Sequence, residues 1–201
     1  MSPRRYRMAV RAAGVVETRE RILHSAMALH GEKGLLGTNW EEIAAGAEVA
    51  LATVYRHFPS LGELIPACVK AIFDMVKPPT IDQAGEIFAD LDSPTARLER
   101  LIRESCLCYQ RGAGWLYAAR CEAHLIPAMA EAVRLMDSSL AVLIRAALGR
   151  ARVSKQTELI LRTLIDFPFW KSLIDAGMSI TQAEGAMIQL VGDQLKKADV
   201  R

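Results

Sequence analysis

Thr53, Tyr55, Arg56 and His57 lie close together in the segment Ala50–Phe58, and every one of them can donate a hydrogen bond. Val54 and Phe58 are apolar and four residues apart, so at helical spacing they share one face and leave the polar groups on another. Thr53 can bond a base edge or offer its methyl group to thymine, and Ala52 is small enough to allow close approach to a groove. Tyr55 and His57 can donate to phosphate oxygens, a contact that sets register without reading sequence, and Arg56 can do either.

Two other kinds of chemistry are less well supplied. Cys121 and His124 are three residues apart and would share a helix face, with Cys106 or Cys108 as further thiols. Cys106 and Cys108 cannot both face the same way on one helix, and the spacing matches no closed zinc pattern, so no metal and no cofactor is expected. Catalysis is not expected either. The chain has no Gly-x-Gly-x-x-Gly, no phosphate loop, no His-Glu-x-x-His and no nucleophile elbow. Arg111-Gly112-Ala113-Gly114 has no strand before it and reads as a helix breaker.

Almost every segment that could position these groups has helical period, which predicts an all-α chain. Residues 18–33 place Ile22, Leu23, Ala26, Met27 and Leu29 on one broad face, with Thr18 as the expected N-cap and Gly34 as the stop. A short second helix is expected after Thr38 as cap, a third over residues 50–58, and a fourth over 61–77, ended by Pro78-Pro79. Three short helices with a tight connection between the second and third describe a helix-turn-helix. Ile43, Ala44, Ala47, Val49 and Val54 are its apolar anchors, and Ala44, Ala45, Gly46 and Ala47 let two helices come close. The expected division is a flexible basic arm over 1–16, a helix-turn-helix unit over 17–60 and a helical unit over 61–201, with 61–77 as the connecting helix.

Charge is distributed in keeping with that division. The 201 residues carry a net charge of only +2, but residues 1–21 hold six arginines against two acids. A basic end on a mildly acidic body suits contact with a polyanion at that end. Arg4, Arg5, Arg7 and Arg11 precede the first acid, and such an arm could follow a DNA backbone or enter a minor groove. No apolar run is long enough for a bilayer, no signal peptide is evident, and four cysteines are too few for a disulfide framework, so the expected compartment is the cytoplasm.

The run Ile43-Ala44-Ala45-Gly46-Ala47-Glu48-Val49-Ala50-Leu51-Ala52-Thr53-Val54-Tyr55-Arg56-His57-Phe58-Pro59-Ser60, followed by Glu63-Leu64, resembles the N-terminal signature of the tetracycline-repressor (TetR) family. The likeness covers roughly residues 17–70. It implies that Thr38, Thr53, Tyr55 and His57 face DNA, with Ala52 near the bases. It also implies a homodimer on a pseudo-palindromic operator, most often a repressor that a small molecule releases. Four positions depart from the family pattern: Glu48 for a turn glycine, Ala50 for a capping serine or threonine, Ala52 for a frequent glycine, and Leu61 for a phosphate-contacting lysine.

After residue 70 the likeness fades. The resemblance implies that the second unit holds a ligand pocket and builds the dimer. Tyr109, Trp115, Tyr117, Met129 and Met136 could line a pocket with Arg120, Glu122 and His124 as polar anchors, which suits an apolar or aromatic ligand with at most one charged group. Helices are expected over 155–176 and 181–197. The first is apolar nearly all round and must be covered on more than one side. Such a pair could fill an ordinary monomer core; the resemblance favours two-fold packing into a four-helix bundle, with Leu161, Ile165, Trp170, Met187 and Leu190 as its expected contacts.

Overall fold

The computed structural model describes residues 3–198, and the side chains among them apart from those of residues 3–7 and 9–11. Ten α-helices account for most of this span, and no strand occurs among the described residues. The first helix, α1 (Pro3–Lys33), begins far earlier than expected. Residues 3–16, expected as an arm ahead of the first helix, are thus part of it. Thr18 is no N-cap; inside α1 its hydroxyl donates back to the Gly14 carbonyl at 2.7 Å. The arginine side chains at 4, 5, 7 and 11 lie outside the described residues.

α1 stops where expected. Gly34 adopts φ +77°, the left-handed conformation that glycine enters without a Cβ clash. Next come α2 (Trp40–Gly46) and α3 (Leu51–His57). The cap of α2 is Asn39, one residue beyond the expected Thr38. Asn39 accepts the Glu42 N–H while the Glu42 carboxylate accepts the Asn39 N–H, a reciprocal capping box. Thr38 instead donates its hydroxyl to the Gly34 carbonyl at 2.8 Å and braces the turn. Ile22 and Ala26 of α1 close over Ile43, Ala44, Ala47, Val54 and Phe58, all buried, so the short helices are held by a shared core rather than by their own length.

α4 (Leu61–Val76) links this unit to the rest and ends at Lys77, whose φ is +47°. A 3-10 turn and the single-turn α5 (Ala84–Ile87) lead to α6 (Pro94–Glu122), capped by Ser93. Gly112 kinks α6 without ending it, with φ −119° and ψ 16°, and Gly114 follows two residues later. Their smallness is needed for packing. A Cβ at Gly112 would fall 2.6 Å from a Val76 methyl of α4, and one at Gly114 would overlap the Gly31 carbonyl of α1. Pro127 opens a new helix, α7 (Pro127–Leu148). The long helix expected over 155–176 is broken into α8 (Lys155–Ile165) and α9 (Phe167–Asp175) by Asp166, whose carboxylate caps α9 just ahead of Pro168. The final helix is α10 (Ile180–Lys197), and α6 runs through the middle against α1, α4, α7, α9 and α10.

Candidate nucleic-acid interface and ligand cavity

On α3 the apolar and polar faces separate as the spacing requires. Val54 and the following Phe58 are fully buried, Ala52, Tyr55 and Arg56 are exposed, and Thr53 and His57 are half-buried. A seven-residue helix cannot hold this face in place alone. Trp40 of α2 packs its ring 5.2 Å from that of Tyr55, which fixes the direction of the phenol. Arg19 of α1 donates to the His57 carbonyl at 2.8 Å and lies 4.0 Å over the Phe58 ring, so one guanidinium satisfies the C-terminal end of α3 and pins its core anchor. Neither Trp40 nor Arg19 was evident from sequence, since both act across helices. Partial burial lowers the His57 pKa, helped by Arg56 and Arg19, so at neutral pH its ring is uncharged.

The family departures have visible consequences. Glu48 sits at φ +54° in the connection between α2 and α3, a left-handed site that costs a non-glycine residue about 1 kcal/mol. Ala50 occupies the N-cap of α3 and supplies no side-chain bond. Leu61 is exposed and carries no charge toward a phosphate.

A cavity of about 300 Å³ lies between α4, α6, α7 and the α8–α9 junction. Of the expected ligand contacts, Tyr109, Arg120 and Met136 line it. Trp115 faces the other way, donating its indole N–H to the Met27 carbonyl at 2.8 Å. Tyr117 is exposed beside Lys171, His124 lies exposed in the turn after α6, and Met129 is buried beside a separate small void. The cavity takes its other walls from residues distant in sequence, among them Phe73, Leu135, Leu140, Leu143 and Phe167, with Ser105 and Asp166 as polar members.

Glu122 does not line this cavity. It is only 9 % exposed and accepts the backbone N–H groups of Leu35 and Leu36, at 2.9 and 3.2 Å, in the turn after α1. With Trp115 on Met27 and Gly114 against Gly31, it ties the second half of α6 to the helix-turn-helix unit. The other flank of the same helix, with Ser105, Tyr109 and Arg120, lines the cavity.

Of the five expected dimer contacts, Leu161, Ile165, Trp170 and Met187 are buried in the protomer's own core, and Leu190 alone is exposed. Among the described residues no three His, Cys, Asp or Glu side chains come together as a metal site, and no helix is long and apolar enough to cross a membrane.

A short helix with a polar outer face, set by two helices at the end of a helical body, defines a helix-turn-helix protein. Residues 22–68 match the model of the bacterial regulatory proteins of the tetR family. No curated protein sequence matches the chain. Solved structures resemble it over most of its length. A transcriptional regulator from Rhodococcus sp. Rha1 has a TM-score of 0.70 and 20% identity, covering 91% of this chain and 98% of the other. A TetR transcription regulator from Haloarcula marismortui has 0.67 and 15%, again covering 91% and 98%. The multidrug binding protein EbrR, complexed with imidazole, has 0.62 and 18%, covering 88% and 93%. The chain as a whole therefore has the TetR-family transcriptional regulator fold.

Proposed function

We propose that this chain is a sequence-specific transcriptional regulator that binds an operator as a homodimer and leaves it when a small, largely apolar molecule fills the cavity. The observation that carries the reading is the outward face of α3, where Ala52, Tyr55 and Arg56 are exposed and Thr53 and His57 are half-buried beside them. Thr53 and Ala52 are assigned to the bases, Tyr55 and His57 to phosphates, and Arg56 to either; Thr38, half-buried in the turn ahead of α2, is assigned to the backbone. Thr53→Ala is expected to relax sequence preference at one operator position. Tyr55→Phe removes a hydroxyl but not the ring against Trp40, and should weaken all sequences alike, by about fivefold. Binding measured against a panel of single-base operator variants decides this. A change of specificity in Tyr55→Phe with overall affinity unchanged contradicts the assignment.

The homodimer would form on the exposed sides of α8 and α10. Leu159 and Leu190 are exposed there, and Gly185 and Gly192 have open space where a side chain would stand, which allows another helix to approach. Leu190→Glu is expected to yield monomers with poor operator binding, because the charge would have to be buried unpaired. Light scattering that shows an unchanged dimer puts the interface elsewhere. Ligand response fits the double duty of α6, which lines the cavity on one flank and grips the turn after α1 on the other. A ligand that prefers one position of α6 lowers operator affinity by its preference between the two states. The EbrR relative, a multidrug binding protein solved with imidazole, supports a ligand-binding role for this body.

A further inference from the structure

A buried donor has lost its water, so either the protein or a ligand must supply its acceptor. Among the described residues, the buried side-chain nitrogens without a hydrogen-bond partner are His30 Nδ1, Trp170 Nε1 and Arg120 Nη1. Of these residues only Arg120 belongs to the wall of the cavity between α4, α6, α7 and the α8–α9 junction. Its neighbouring nitrogen is already held: Nη2 donates to Asp166 at 2.9 Å and lies 3.5 Å from Asp137. The guanidinium carbon stands 5.1 Å from the centre of the ring of Phe167, another wall residue. Asp166 is fixed in turn, because the same oxygen accepts the Phe167 N–H at 2.7 Å and caps α9. Nη1 is thus a positioned donor with nothing to donate to.

We propose that the cavity takes a largely apolar molecule of one or two rings with an acceptor oxygen, a carbonyl or a carboxylate, that receives the N–H of Arg120 Nη1. The proposal rests on the reading of this cavity as an effector site and gives that site its anchor. A volume of about 300 Å³ is at the small end for ligand pockets, which sets the size of the molecule. The other polar groups of the wall make no opposite demand. The hydroxyls of Thr80, Ser105 and Ser139 can donate or accept. The Tyr109 hydroxyl already donates to the Ile165 carbonyl at 2.9 Å, and burial pushes the Cys108 thiol up to about 11, leaving it neutral. A guanidinium only donates, so Arg120 decides which sense of hydrogen bond the ligand must complete. A hydrocarbon of the same shape leaves Nη1 unpaired, and an ammonium sets a second donor and a like charge beside it. An acceptor oxygen gains a charge-assisted hydrogen bond away from water.

The test holds the ring system constant and varies the polar group. Calorimetric titration of the full-length protein would use acetonaphthone, isopropenylnaphthalene, naphthoate and naphthylmethylammonium. Isopropenylnaphthalene has the shape of the ketone, with C=CH₂ in place of the acceptor. The variant combines Arg120→Met with Asp166→Asn, which removes the donor together with its partner charge and keeps a capping side chain on α9. The ratio of ketone to alkene affinity is expected to fall at least about tenfold in this variant, the loss of one hydrogen bond to a charged group. The ratio of naphthoate to alkene should fall as well, and whichever acceptor binds the wild type more tightly tells a neutral carbonyl from an acid. Unchanged ratios overturn the proposal, as does tightest binding of naphthylmethylammonium. If the double variant does not fold, nitrogen NMR of the arginine-labelled wild type decides. An Arg120 Nη resonance that moves with the ketone and not with the alkene supports the proposal, and an equal response to both overturns it. Failure of all four probes to bind overturns both the proposal and the effector site. Ratios that fall as expected, with operator affinity untouched by the bound ketone, support the proposal and overturn only the ligand response proposed above.

Discussion

Replacing Glu122 by alanine is expected to destabilise the protein by about 1–4 kcal/mol, because the buried Leu35 N–H loses its acceptor at a cost of about 1–3 kcal/mol and the partly buried Leu36 N–H loses its acceptor at a smaller one. The turn that presents them, residues 34–38, follows directly on α1 and precedes the cap of α2, so the damage falls on the junction of the two units. Glu122→Gln keeps one acceptor but sets an amide N–H₂ against the other N–H, and should fall between the two. Urea denaturation provides the measurement. A midpoint for Glu122→Ala equal to that of the wild type would mean that water replaces the carboxylate and that the tie carries no load.

Acid should weaken the fold through His30. This ring is buried against Trp115 in an edge-on contact with centroids 5.5 Å apart, and its Nδ1 has no partner. Burial lowers its pKa from 6.5 to about 4. Above pH 6.5 the ring is neutral in both folded and unfolded chains, and its contribution to stability is fully present. As pH falls from 6.5 toward 4 the unfolded chain takes up the proton and the folded chain does not, so about 3 kcal/mol is lost across that window. In His30→Leu this component is absent. The urea midpoint of the wild type should therefore fall more steeply between pH 7.5 and pH 4.5 than that of the variant. Parallel decline of the two proteins would mean that the ring is protonated or solvated in the folded state.

The helix-turn-helix was legible in the sequence because its determinants are local. The buried set Ile43, Ala44, Ala47, Val54 and Phe58 follows from spacing within a few turns, and Gly34 and Pro59 punctuate it. The neighbouring details failed by small margins. Asn39 rather than Thr38 caps α2 because the residue three beyond Asn39 is Glu42, which completes a capping box. Pro168 marked the break between α8 and α9, but the strong apolar content on both sides masked it.

The cavity was hardly legible. Tyr109 and Arg120 were recognised by type, whereas Phe73, Leu140 and Phe167 meet them only when α4, α7 and α9 are in place. Trp115 and Glu122 had the right chemistry but turn to α1 and the turn after it, and Met129 of α7 lies against a separate small void. Periodicity identifies an apolar face and not the neighbour that covers it. For the same reason Leu161, Ile165, Trp170 and Met187 were assigned to a partner when they fill the protomer's own core.

The most direct test of DNA recognition by α3 is selection of genomic fragments on the purified protein, followed by sequencing and repetition with Thr53→Ala. The expected result is one enriched inverted repeat whose half-sites lie about 34–36 Å apart or a multiple of that, the spacing at which paired recognition helices enter successive turns of one groove. The Thr53→Ala selection should return the same repeat with one position in each half-site degenerate. Enrichment of no common sequence, or an identical motif from Thr53→Ala with every position intact, would contradict sequence reading by this helix.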